Sequence, residues 1–247
     1  PPRSELAPAS DEPVTVIIAG KGWARVRQGH GLDLSGVVFK DGDRAGSAQE
    51  CRSVDSLVIL STEGRAFTVA VASLPDGRGM GAPLSSFVDL GAGKIAYVLT
   101  GLPEEQLLVA KTSGYGFVCT YADLLSRQKA GKAFLSVEDG ATILPPVRLA
   151  GKDHLAALSE DGRLLIFPLE QMKRLSAGKG VQLIALREGE SLRAAVATLG
   201  ARVTIKGTVR NRIKTLLSEE RHCGLRARRG SPVGQLGNVM LEACPEP

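Results

Sequence analysis

The chain has 247 residues, a formal net charge of +5, 43% hydrophobic residues, 29 glycines and only 4% aromatics. That length suits one large or two small globular domains, and no apolar run approaches the roughly 18 residues of a membrane span. Four dispersed cysteines without a C-x-x-C pair, and three scattered histidines, point to free thiols in a reducing compartment rather than to a zinc site or a disulfide scaffold.

The first segment, "PPRSELAPASDEP", lacks the apolar centre of a secretory leader and is rich in Pro, Ser and charge. Residues 1–13 are therefore expected to form a flexible linker, with 14–247 as a single domain. "VTVIIAGKGWARV" from Val14 then reads as two apolar strands joined by a turn that ends in Gly22. The same plan returns in "DSLVILSTEGRAFTV" from Asp55, "EQLLVAKTSGYGFVCT" from Glu105 and "DHLAALSEDGRLLIF" from Asp153, with turn glycines Gly64, Gly114 and Gly162. Glycine suits such corners because a tight hairpin needs positive φ, which costs little without a Cβ.

A second landmark follows three of the hairpins: "GRG" at Gly77–Gly79, "GKA" at Gly131–Ala133 and "GKG" at Gly178–Gly180. Each precedes another apolar run. A diverged fifth unit starts at "ARVTIKGTVRNRIKTLL" and carries "GLRARRGSPVG" from Gly224 to Gly234. Helical stretches are short, near Tyr121, Leu169 and Leu216. Repeats of about 40–50 residues with some four short strands each predict an all-β, propeller-like array of five blades. The sequence leaves open whether the outer strand of a blade comes from its own repeat or from a neighbour.

Charge is uneven. Residues 201–230 hold nine Lys or Arg against Glu219 and Glu220. If the landmark recurs at one place in every blade, Arg78, Lys132 and Lys179 form a belt of cations flanked by glycines, able to follow a phosphate backbone. No catalytic motif competes with this reading. "AGKGV" lacks the Ser/Thr and upstream glycine of a P-loop, and neither G-x-S-x-G nor H-E-x-x-H occurs. Trp23 and His30 are expected to be structural, and Tyr115 to cap its turn.

"EPVTVIIAGKGWARVRQGHGLDLSGVVFKDGD", "GRGMGAPL", "SGYGFVCTYADLLSRQKAGKA", "EDGRLLIFPL", "LSAGKGVQLI" and "LRARRGSPVG" together closely resemble the C-terminal domain of the DNA-cleaving subunit of bacterial DNA topoisomerase IV, a type IIA topoisomerase. The resemblance runs from about Glu12 to the fifth unit. It implies a five-bladed β-pinwheel with four-stranded blades that exchange a strand, in a ring that need not close. It also implies non-sequence-specific binding and bending of double-stranded DNA, in support of decatenation and supercoil relaxation during chromosome segregation. The DNA-cleaving tyrosine would lie in a catalytic core outside this chain, so Tyr97, Tyr115 and Tyr121 receive no such role and no cofactor, metal or small-molecule substrate is expected. The implied partners are that core, a chromosome-organising condensin, and the separate ATPase subunit of the enzyme. The implied location is cytoplasmic and nucleoid-associated, with the parent enzyme peripheral at the inner membrane. The related domain of DNA gyrase has a box of the form Gln-basic-Arg-Gly-Gly-basic-Gly that drives tight wrapping. Here "ARRGSPVG" is only a degenerate echo of it, which favours bending over wrapping.

The residues expected to meet DNA phosphates are Lys21, Arg25 and Arg27 in the first repeat, then Arg65, Arg78, Lys132, Lys179, Arg228 and Arg229. The competing expectation is a protein-interaction propeller that docks partners at its faces and has little direct affinity for DNA.

Overall fold

A computed structural model describes residues 10–40 and 42–244. The first nine residues of the expected linker lie outside the described residues. The remainder of that segment is fastened down: the Arg52 guanidinium pairs with Asp11 at 2.5 Å, and the Ser53 amide donates to the Glu12 carbonyl at 2.9 Å.

The chain divides into two compact units. Among the described residues, one comprises the chain up to Leu102 together with a returning segment, Leu124–Lys132; the other comprises Pro103–Asp123 and the chain from Ala133 onward. In the first unit, strands β1 (Pro13–Ala19), β2 (Trp23–Gln28), β3 (Ala45–Arg52), β4 (Ser56–Ser61), β5 (Arg65–Ala70), β6 (Ala82–Pro83) and β7 (Ile95–Leu99) follow in chain order. The second carries β8 (Gln106–Ala110), β9 (Tyr115–Thr120), the pair β10 (Lys132–Ala133) that begins in the returning segment, β11 (Val147–Arg148), β12 (His154–Ser159) and β13 (Arg163–Pro168). It continues through β14 (Val181–Gln182), β15 (Leu192–Thr198), β16 (Val203–Val209), β17 (Arg212–Leu217), β18 (Ser231–Pro232) and β19 (Gly237–Ala243). The short helical turns fall at Val71–Ser73, Leu84–Ser86, Tyr121–Leu124, Leu169–Gln171 and Glu220–His222.

These strands make five sheets, in the orders β3-β1-β2-β6, β10-β5-β4-β7, β11-β8-β9-β14, β15-β12-β13-β18 and β17-β16-β19. The first four hairpins are built as the turn glycines require, with Ile18 opposite Ala24, Leu60 opposite Ala66, Ala110 opposite Gly116 and Leu158 opposite Leu164, whereas the fifth turns on Arg210 and Asn211 at positive φ. The order answers the question the sequence leaves open. In each of the first four blades the two-residue outer strand comes from the next repeat. Strand exchange of this kind, with almost no helix, is the β-pinwheel. The fifth sheet departs from expectation: it has three strands, and no strand among the described residues pairs with the outer edge of β17.

Burial follows from this plan. Leu57, Val58, Ile59 and Leu60 are all buried, because both faces of a central strand are covered. In the first unit, Val14, Val16 and Ile18 pack with Leu57, Ile59 and Phe67. In the second, alternate residues of β12 point to opposite clusters. Leu155 and Ala157 join Leu108, Val118 and Phe167, whereas Ala156 and Leu158 join Val203, Ile205 and Leu241.

Candidate nucleic-acid interface

The loops that deliver the exchanged strands run beside the hairpins they complete. In three of these loops the chain, after its short helical turn, first runs parallel to the second hairpin strand of the preceding blade. The Val26 amide donates to the Pro75 carbonyl at 2.9 Å, and the Val118 amide to Lys173 at 3.0 Å; the Gly224 amide donates to Ile166 at 2.9 Å. The chain then arches outward and returns antiparallel beside the hairpin turn as β6, β10, β14 or β18.

The return is gated by one glycine per loop. Gly81, Gly131, Gly180 and Gly230 all have φ between 66° and 87°. A Cβ on any of them would lie within 2.7 Å of the carbonyl oxygen of Ala24, Ala66, Gly116 or Leu164, respectively. These glycines let two backbones touch, a structural requirement in itself.

In two blades the residue after the turn glycine then latches the incoming strand. Arg65 donates from Nη2 to the carbonyls of Ala130 (2.8 Å) and Gly131 (3.1 Å), and Arg163 donates from Nη1 to the Gly230 carbonyl at 3.0 Å. At the same position Trp23 and Tyr115 offer ring faces, with Lys40 Nζ 4.2 Å from the Trp23 centroid and Lys179 Nζ 4.4 Å from that of Tyr115.

The nine residues expected from the sequence sort accordingly. Arg25 is 6% exposed, and donates to the carbonyls of Gly79 and Val38 at 2.5 Å each. Burial, with the neighbouring charge of Arg27, holds its guanidinium below the ordinary value. It is an internal brace, not a rim cation. Arg65 is committed to the latch. Arg229 forms a two-pronged ion pair with Glu190 and donates to the Ala185 carbonyl at 3.0 Å. That pairing pulls the Glu190 carboxyl down to about 2, while the hydrogen bond between Asp161 and Glu190 raises Asp161.

Lys179 stands 3.6 Å from Glu138, itself held at 2.9 Å by both oxygens to Lys111, a lysine with no exposed surface. Burial pushes the Glu138 carboxyl upward, but hydrogen bonds from Lys111 and Ser113 outweigh it and leave the group below its usual range. The cations that remain open are Lys21, in the first hairpin turn, half-buried Arg27 and Lys132, and exposed Arg78 and Arg228. Of these, Arg78 is only loosely engaged by Asp76, at 3.8 Å.

The belt expected from the landmark is also out of register. Lys179 and Arg229 directly precede their exchange glycines, Lys132 follows its own, and Arg78 lies three residues before Gly81. The true partner of "GKA" is "GAP" at Gly81–Pro83, not "GRG", because Gly81 is the glycine that meets the neighbouring strand.

What the blades share is the loop. Arg127 and Lys129 lie in the loop leading to β10, and Lys173 and Arg174 in that leading to β14. All four are exposed and make no ion pair among the described residues. Their sequence signal is the pair of stretches "SRQKAGKA" and "MKRLSAGKG", where the basic residues stand upstream of the landmark and outside it. Conversely Arg226, within the basic segment, donates to the carbonyls of Gln171 (2.9 Å) and Gln182 (2.6 Å) and is structural.

His30 Nε2 bonds to the Cys51 carbonyl at 2.8 Å, and Trp23 is half-buried. Tyr121 is buried, and burial raises the hydroxyl of Tyr97 above its ordinary value. Among the described residues no group of three or more His, Cys, Asp or Glu side chains is placed to hold a metal ion, and all four cysteines are free thiols. No helix among them is long and apolar enough to cross a membrane.

Comparison with known proteins agrees with the fold. Residues 153–198 match the family described as DNA gyrase C-terminal domain, beta-propeller. The matching subunit of DNA topoisomerase 4 from Neisseria gonorrhoeae is 39% identical over 194 residues, which cover 74% of this chain and 25% of that protein. The chain thus spans about a quarter of the length of that curated relative. The solved structure of the Escherichia coli ParC C-terminal domain superposes with a TM-score of 0.86 at 32% identity, covering 94% of this chain and 98% of that one. A DNA gyrase A C-terminal domain shares the fold at 20% identity, with a TM-score of 0.64 over 95% of this chain and 84% of that one.

Proposed function

The chain belongs to the family of topoisomerase IV ParC-type C-terminal domains, and from that premise we propose that it binds and bends double-stranded DNA through the loops that carry its exchanged strands. The observation that supports this most directly is the set of exposed cations on those loops. Arg78, Arg127 and Lys129 lie in the first unit, and Lys173, Arg174 and Arg228 in the second. Each is on a loop anchored where it returns by the exchange glycine; where they leave, the loops of Arg78, Lys173, Arg174 and Arg228 are held by the parallel contact, and that of Arg127 and Lys129 by the Ser126 amide, which donates to Thr68 Oγ1 at 2.8 Å. A fixed cation loses less freedom on meeting a phosphate than one on a mobile tail.

Recognition of this kind positions the duplex without reading bases, since no helix among the described residues is long enough to enter a major groove. Bending 20–30 bp costs on the order of 1–6 kcal/mol, and several phosphate contacts together can offset it. The role proposed for the longer protein is to cleave DNA within an ATP-dependent type II topoisomerase, working with a separate ATPase subunit. This domain would there hold the DNA segment that selects crossings for decatenation and relaxation, at the nucleoid. The test is a salt titration of binding to linear duplexes of increasing length. Affinity that rises with length until the bent path is filled, and falls steeply with salt, supports the reading. Length-independent, salt-insensitive binding overturns it in favour of a protein-docking propeller.

A further inference from the structure

Four of the five blades close the edge of their second hairpin strand in the same way, and the fifth leaves that edge open among the described residues. The closing segment has one pattern: Gly81-Ala82-Pro83-Leu84, Gly131-Lys132-Ala133-Phe134, Gly180-Val181-Gln182-Leu183 and Gly230-Ser231-Pro232-Val233. The glycine takes positive φ against the acceptor backbone. The next two residues pair with the acceptor strand, as Ala82 does with Ala24 and Pro83 with Trp23, or Ser231 with Leu164 and Pro232 with Arg163. The fourth residue is apolar and buried in all four. In three of them its amide donates to the turn residue: Leu84 to Gly22 (2.9 Å), Leu183 to Gly114 (2.8 Å) and Val233 to Gly162 (3.0 Å).

β17 occupies the acceptor position in the fifth blade, and no strand among the described residues covers it. The residues that would receive a donor are Asn211 in the turn, Arg212 and Ile213. Ile213 is 80% exposed and Leu217 56%, and they pair across the ladder with Thr208 and Thr204. The alternate positions of β16, Val203 and Ile205, are buried on the other face. Arg210, Arg212 and Lys214 line the hairpin and make no ion pair among the described residues.

We propose that β17 is an acceptor for strand addition by an extended segment of another protein, of the form glycine, any residue, acidic residue, large apolar residue. The glycine is required because the acceptor backbone leaves no room for a Cβ at the four equivalent sites. The acidic residue follows from register: the third residue of a donor falls opposite Arg212, as Pro232 falls opposite Arg163, and opposite charges across a ladder attract. The last residue covers the exposed apolar strip beside Ile213. A second copy of β17 is a poor occupant, because two such edges would set Arg212 and Lys214 against like charge. A DNA strand satisfies the cations but leaves Ile213 and Leu217 against phosphate. Main-chain pairing to an exposed edge, with alternate side chains setting specificity, is a common mode of peptide capture.

The experiment uses this chain and a labelled synthetic peptide, Asp-Gly-Ser-Glu-Leu-Asp. Saturable binding with a dissociation constant below about 1 mM, with amide shifts confined to residues 210–217, is expected. Replacing the peptide glycine by alanine, or Ile213→Asp in the protein, should each weaken it at least tenfold. Arg212→Glu should do the same and be rescued by a peptide with Lys in place of Glu. Because Ile213 is exposed, its replacement leaves the fold intact. The proposal is overturned if the peptide does not bind, or if the alanine peptide binds equally well. It is equally overturned if Ile213→Asp acts by dissociating a dimer in sedimentation, or lowers duplex DNA affinity while leaving peptide binding untouched.

Discussion

Replacing Arg127, Lys129, Lys173 and Arg174 together by glutamine tests whether the exposed loop cations, and not the landmark cations, hold DNA. All four side chains are exposed and outside any ion pair among the described residues, so each replacement should change folding stability by no more than about 0.5 kcal/mol. Each phosphate neutralised releases counterions, which gives a slope of log K against log salt of about −0.9 per contact. If all four residues make one contact each, the variant's slope is shallower by about 3.6, and near physiological salt binding weakens by roughly 1 kcal/mol per lost contact. Fluorescence anisotropy on a duplex of about 30 bp, over a series of salt concentrations, measures both quantities. The internal control is Arg65→Gln with Arg163→Gln. Those side chains are spent on carbonyls of the exchanged strands, so their loss should lower the melting temperature and leave the salt slope unchanged. A quadruple variant with the parental slope, or a latch variant with a shallower one, refutes the assignment.

Gly180→Ala should destabilise the domain by about 2–4 kcal/mol, from the cost of positive φ and from overpacking against Gly116; Gly79→Ala, with open space around it and no positive φ, should cost clearly less by thermal unfolding. Lys111→Ala should cost roughly 2–4 kcal/mol, because it leaves a buried void and removes the donor to the Ser136 carbonyl, whereas partly exposed Glu138 keeps Lys179 and Ser113 beside it. Lys111→Met combined with Glu138→Gln should recover most of that loss in denaturant titrations. The Glu190 carboxyl lies near 2 in the folded state because Arg229 holds its charged form, below the ordinary glutamate value of about 4.3. Its stabilising contribution is thus full above about pH 4.3 and disappears as pH falls through about 2. Calorimetry across that acid range should show melting temperature falling in the parent protein, and a flatter profile for Arg229→Gln.

The repeats are legible in the sequence because hairpins are local. Apolar runs on either side of Gly22, Gly64, Gly114 and Gly162 place four of the five hairpins, and the short helical turns near Tyr121 and Leu169 are visible between them. The third stretch, "LLSEERHC" from Leu216, is helical only at Glu220–His222, its first two residues being the end of β17. Strand exchange is not readable from the residues, since β6, β10, β14 and β18 are two residues long and carry no periodicity of their own. Their mark is the glycine, and it misaligns in the second repeat, where "GRGMGAP" offers three. Its positive φ and its close approach to the Ala24 carbonyl distinguish Gly81 from Gly77 and Gly79 as the one that pairs into the neighbour. The side-chain roles are less readable still. Arg25 and Arg78 both sit near glycines in basic surroundings, yet one is buried against two carbonyls and the other is 94% exposed. What separates them is the path of the loops through Val38 and Gly79, which supply the acceptors for Arg25 and have no sequence signature.

This sorting changes how basic residues should be read in a strand-exchanging fold. An exchanged strand ends in carbonyls that its own repeat cannot satisfy, and a buried or half-buried carbonyl without a donor is costly. Arginine, with five donors in a rigid fork, is suited to satisfying two of them at once. Arg25, Arg65, Arg163, Arg226 and Arg229 all donate to main-chain carbonyls at or near an exchange loop. Among the lysines, buried Lys111 donates to the Ser136 carbonyl in the same manner, whereas Lys129 and Lys173 remain in solvent. The pinwheel therefore raises its arginine content for reasons of chain crossing alone. A positive charge balance then follows whether or not a polyanion binds, and the residues that can report on DNA are the cations left over once every exchanged carbonyl has its donor.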